Sequence, residues 1–138
     1  MAVTPAAGFV LPGPALAIGI VAEAVCFWAV TVLKSMLGYD DSLDVFGVHG
    51  VGGIIGMLAT GVLAFGPLTA TAAHPAGTAV GGAALLQVQA VGVAATLGYS
   101  ALGSFLLLKL TDLLVGLRVP REAEREGLDI VLHGEQVL

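Results

Sequence analysis

His49 is the residue of this chain best placed to do chemistry. It sits near the start of a run of 64 residues, Val45 to Leu108, that contains no Asp, Glu, Lys or Arg. Imidazole donates from one nitrogen and accepts at the other, so it can pass along a polar neutral molecule or a proton. Within hydrocarbon it is costly unless it has a partner or a water-lined site. A structural histidine would hydrogen-bond to a neighbouring helix; a functional one would line a path. Inside a membrane span the functional reading is the default. Val45 and Phe46, at i−4 and i−3, would narrow such a path beside it, and their plainer role is lipid or helix contact.

Glycines crowd the same segment: Gly47, Gly50, Gly52, Gly53, Gly56 and Gly61. With α-helical spacing, His49, Gly53, Gly56 and Thr60 share one face at intervals of 4, 7 and 11 residues. Small residues so arranged admit a neighbouring backbone or keep space open beside an inward side chain.

Other candidates are weaker. Asp40, Asp41 and Asp44 do not follow the spacing of a calcium loop, and turn formation with helix capping explains them. His74 reads as an exposed loop residue. Cys26 is the only cysteine, which excludes an internal disulfide and a thiolate metal site. No nucleophile stands beside a base and no loop is built to cradle phosphate, so an enzyme is not indicated. No cofactor or metal is expected. No basic stripe with interleaved aromatics is present, which argues against nucleic acid.

The elements that must position His49 are membrane spans. Hydrophobic residues make up 57% of the chain and charged ones 11%, against roughly 25% charged in an ordinary soluble domain. The sequence predicts an all-α bundle of three transmembrane helices, at about 14–36, 45–65 and 79–117. Pro14 suits a first helical turn, Asp44 stands where an N-cap belongs, and Gly66-Pro67 ends the second span. The 21 residues of that span make about 31 Å of helix, close to the hydrocarbon thickness. The third is longer and is expected to tilt or project. Glu23 falls near the middle of span one. It is protonated, paired with a polar group such as Gln87 or Gln89, or open to an aqueous cavity.

Lys34 lies at the far end of span one, facing span two, and Lys109, Arg118, Arg121 and Arg125 lie towards or beyond the end of span three. The positive-inside rule then puts the N-terminus and the 66–78 loop outside, and the Lys34 loop and C-terminal tail in the cytoplasm. The N-terminus does not read as a signal peptide: it lacks a positive leader, and Pro5, Pro12 and Pro14 interrupt it. The tail, 118–138, is different in kind, with three of the five basic and five of the ten acidic residues. Pro120 to Gly127 reads as a short, solvated helix. Leu128 to Leu132 is mixed apolar and suited to docking on another surface.

The stretch Asp40-Asp41-Ser42-Leu43-Asp44-Val45-Phe46-Gly47-Val48-His49-Gly50-Val51-Gly52-Gly53 resembles the signature of the ammonium transporter (Amt/Mep/Rh) family. Thr4 to Val10, Gly116 to Pro120, Glu124 to Asp129 and His133-Gly134-Glu135 are similar to its bacterial branch. The resemblance covers nearly the whole chain, in order. It implies an inner-membrane, multi-pass protein with ammonium or ammonia as substrate. It further implies a homotrimer whose subunits each hold a pore among eleven helices, ten of them in two inverted repeats. The chain then corresponds to the last three helices and the tail, preceded by the end of the eighth, as a fragment of that fold.

In that alignment His49 matches the second of two paired pore histidines, which guide ammonia after ammonium is recruited and deprotonated. Val45 and Phe46 border the path, and Asp44, Gly52, Gly53 and Gly56 are structural. Arg118, Glu126, Gly127, Asp129, His133, Gly134 and Glu135 belong to a regulatory tail linked to control by PII signalling proteins. The first pore histidine, the aromatic recruitment site with its aspartate and the phenylalanine gate have no counterpart here. Glu23 stands where the family usually has a small residue. A reading of another class is a non-transporting membrane protein that assembles with, or regulates, full-length transporter subunits.

Overall fold

A computed structural model describes residues 4–134. Glu135 lies outside them, as do the side chains of Asp129 and His133. The described residues are helical, with connecting turns. Helix α1 spans Pro12–Leu37, α2 spans Phe46–Leu63 and α3 spans Ala83–Val115, each long and apolar enough to cross a membrane. The chain is an all-α membrane protein of three such helices. A short helix, α4, covers Arg121–Glu126.

Two units divide the chain, Met1–Thr96 and Leu97–Leu138. In the first, α1 and α2 pack along a seam of small side chains. Ile18, Ala22 and Ala29 are its buried residues on α1, and Gly47, Gly52, Gly56, Thr60 and Gly61 on α2. This is how helices meet in lipid. Hydrocarbon removes the drive to bury apolar groups, so close van der Waals approach of backbones must hold the pair. Thr60 turns its hydroxyl back to the Gly56 carbonyl at 2.7 Å, satisfying the one polar group of the seam. Below it, the 3-10 turn Thr4–Ala6 packs on α2. The Phe65 N–H donates to the Phe9 carbonyl at 2.7 Å, tying that segment to the end of α2.

Helix α3 starts at Ala83, later than the expected position 79. Residues 81 and 82 are held back by α2: the Gly81 N–H donates to the Ala64 carbonyl at 2.8 Å, and the Gly82 N–H to the Gly61 carbonyl at 2.9 Å. Its first turn then crosses α2 at Gly61, where a Cβ would stand 2.8 Å from the Leu86 Cα. Only glycine fits there. No residue of α3 is buried, and its 33 residues extend about 50 Å. In the second unit, α4 runs from Pro120 at its N-cap to Gly127 at its C-cap and packs on the π-helical turn Asp129–His133.

Within the membrane-length helices, two stretches depart from α geometry. Ala29–Leu33 within α1 and Phe46–Val51 at the start of α2 are π-helical, and they pack against each other. Such wide turns are rare and are frequently found at functional sites.

Candidate functional site

The first turn of α2 is organised by the carboxylate of Asp41. Asp41 receives the Val45 N–H at 2.9 Å and the Phe46 N–H at 2.8 Å. The capping role expected of Asp44 therefore falls to Asp41. Asp44 adopts a left-handed backbone, φ 55°, and its N–H closes a turn on the Asp41 carbonyl at 3.2 Å. That turn folds the Asp41 side chain over the helix start, where free N–H groups and the helix dipole favour an anion. It sends the Asp44 carboxylate the other way, to Lys34 at 2.6 Å. Lys34 also donates to the Asp41 carbonyl at 2.6 Å. One lysine thus joins the end of α1 to the loop that starts α2. The three aspartates keep no metal-like arrangement: no three His, Cys, Asp or Glu among the described residues come together to hold an ion.

Phe46 is pinned from two sides. Its ring meets the Tyr39 ring edge-on, with centroids 5.7 Å apart and planes at 85°. It also lies over Gly50, where a Cβ would stand 3.0 Å from its Cδ2. The Tyr39 hydroxyl is buried without a hydrogen-bond partner among the described residues. Nothing in the sequence spacing singles out Tyr39 as the neighbour of Phe46, because the contact depends on the course of the intervening loop.

His49 lies one turn further on, and it is exposed, as are Val45 and Phe46. The three candidate path residues therefore stand on the open surface of the helix pair, outside its seam. No hydrogen bond or ion pair holds the His49 ring among the described residues, so the structural reading of a histidine bonded within this chain is not met. The expected shared face breaks apart: Gly56 and Thr60 are buried in the seam while His49 is not. Gly52 is buried as well. Gly53 is half-buried, and a Cβ there would meet nothing within 4 Å. Close approaches are also made outside that set, at Gly47 and Gly61. The Gly47 position faces Val30, whose Cγ2 would lie 2.7 Å from an added Cβ.

Glu23 is exposed on the outward side of α1. With Ala15, Gly19 and Phe27 it lines an open groove of about 610 Å³. It makes no hydrogen bond or ion pair among the described residues, so of the three alternatives the pairing with Gln87 or Gln89 is not formed. Gln89 instead lies beside Gly61, where its Cγ would be 3.4 Å from an added Cβ. His74 is exposed in a turn, its N–H and carbonyl paired with Thr71 at 3.1 Å each. In the tail, Arg118, Glu126 and Gly134 are exposed and Gly127 is half-buried.

A family model described as Ammonium Transporter Family matches residues 1–138. An ammonium transporter of Bacillus subtilis is 44% identical over 136 residues, covering 99% of this chain and 33% of the relative. One from Aquifex aeolicus is 43% identical over 136 residues, with 99% and 31% covered. Ammonium transporter Amt1 of Archaeoglobus fulgidus is 41% identical over 135 residues, with 97% and 33% covered. The chain spans about a third of the length of these curated relatives.

Proposed function

This chain belongs to the Ammonium Transporter Family, and on that footing we propose that it forms part of an ammonium-conducting pore, with His49 lining the path. The match along all 138 residues carries this reading. The exposed position of His49, Val45 and Phe46 on α2 supports it. A path needs walls on every side, and these residues face the side that further helices, not described here, would close. In hydrocarbon an imidazole so placed needs a partner or water from those helices. Ammonia or ammonium is then the substrate, and no chemical bond beyond a proton transfer is made or broken.

In this reading the Lys34 loop and the tail face the cytoplasm and the 66–78 loop faces outside, in the inner membrane. The assembly is a homotrimer of pore-bearing subunits. The tail, with Arg118, Glu126, Gly127, Asp129, His133, Gly134 and Glu135, takes part in regulation by a PII protein. The bare faces of α3 also fit a second reading, in which the chain assembles with full-length subunits and modulates them without conducting.

The test joins this sequence to the preceding two-thirds of the Bacillus subtilis relative and measures methylammonium uptake by cells lacking other ammonium transporters. The expected result is uptake by the chimera and a loss of at least about tenfold on His49→Ala, a barrier change of about 1.4 kcal/mol. Equal uptake with and without His49 would overturn the pore role. Expression of the present chain beside the intact relative addresses the second reading: co-purification with altered uptake supports it.

A further inference from the structure

Two π-helical stretches facing each other at one level of a helix pair call for a cause. Each π turn forfeits regular i→i+4 bonding and is stable only where packing compensates. Here that packing is the contact of Val30, in the α1 stretch, on Gly47, in the α2 stretch. A Cβ at Gly47 would lie 2.7 Å from Val30 Cγ2 and 3.3 Å from Val30 N, so the Val30 side chain fills the place a methyl group would take, with the Val30 backbone close behind it. On the same side, the Cys26 Sγ stands 4.0 Å from the Val48 carbonyl oxygen. His49 follows directly.

The direction of His49 is set by this stretch. In an unbroken α-helix, residues 56 and 60 would each lie within about 20° of residue 49, since each residue advances about 100°. His49 would then point with Gly56 and Thr60 into the seam. A π turn holds more residues, so each advances less, and a stretch covering 46–51 swings His49 away from the face of Gly56. The observed burial has this form: Gly47, Gly56 and Thr60 are inside and His49 is outside.

We propose that Val30 and Gly47 are positioning residues for His49: their contact holds the π stretch of α2 and so aims the imidazole out of the helix seam. The inference gives the pore reading of His49 its geometric basis and rests on that reading for its functional meaning. Its test, however, uses no transport measurement, so either can fail alone.

The experiment is NMR of the whole chain in lipid nanodiscs with ¹⁵N-labelled histidine, the His49 ring signals being assigned by their loss in His49→Asn. Val30→Ala, a conservative truncation that opens space at the contact, is expected to shift or split the His49 signals by more than a linewidth. Gly47→Ala, which overfills it, is expected to do the same or to prevent folding. The double variant Val30→Ala/Gly47→Ala, in which volume added at one side is removed at the other, is expected to restore them. Gly53→Ala, whose Cβ meets nothing, should leave them in place. Unmoved His49 signals in Val30→Ala would overturn the proposal, as would a folded double variant whose signals lie no nearer to the wild type than those of either single variant.

Discussion

Asp41 and Asp44 show how a side chain's role depends on which backbone turn carries it. They lie five and two residues before Phe46, the first residue of α2, and by type either can cap. The left-handed backbone at Asp44 decides between them, since it delivers Asp41 to the free N–H groups and Asp44 to Lys34. Asp41→Ala should therefore destabilise the protein by about 0.5–2 kcal/mol, the usual cost of losing a helix cap. Asp44→Ala should cost less, because its partner Lys34 is solvent-accessible and water screens the pair. Unfolding in mixed detergent with increasing SDS compares the two, and an Asp44 variant weaker than the Asp41 variant would reverse the assignment. At the opposite end of α2, Gly61→Ala pushes a methyl group against the Leu86 backbone, and overpacking of this kind costs about 1–3 kcal/mol. Gly53→Ala, in the same unfolding experiment, should cost nothing measurable, since helix propensity favours alanine there.

Among the elements, α2 is where sequence pattern and structure part. Its length, its apolar content and the Gly66-Pro67 stop are visible in the chain, because span length and helix termination are local properties. The face that each residue occupies is not local. The α-helical interval that groups His49 with Gly53, Gly56 and Thr60 assumes an even twist, and the π stretch Phe46–Val51 breaks it. No residue type marks that stretch, because its cause is Val30 on another helix. Glu23 of α1 presents the converse case, with position legible and surroundings not. It lies mid-span on an exposed face without a partner among the described residues. A carboxyl at such depth opposes insertion by about 2.5–3.5 kcal/mol, taking aspartate's value for it. Glu23→Leu is accordingly expected to raise the inserted fraction of the Pro12–Leu37 segment in a glycosylation-mapping assay. An unchanged fraction would mean that the carboxyl already reaches water.

For the whole molecule, the proposed topology puts the Lys34 loop in the cytoplasm and the 66–78 loop outside, on the strength of the charged residues. A Cys26→Ala background with a single added cysteine tests this. His74→Cys is expected to react with an impermeant maleimide added to intact cells, and Ser42→Cys only after the cells are opened; the reverse pattern would invert the topology. What the sequence by itself determined is the class of object: the long apolar stretches within an uncharged run of 64 residues cross lipid as helices, which satisfy every backbone polar group within the segment. It also marked His49 by chemical type and the family by an ordered set of motifs. The tertiary structure alone decided which aspartate caps, which glycines touch and which way His49 faces. Those outcomes depend on two backbones approaching within a methyl group of each other, and that distance is set by residues far apart in the chain.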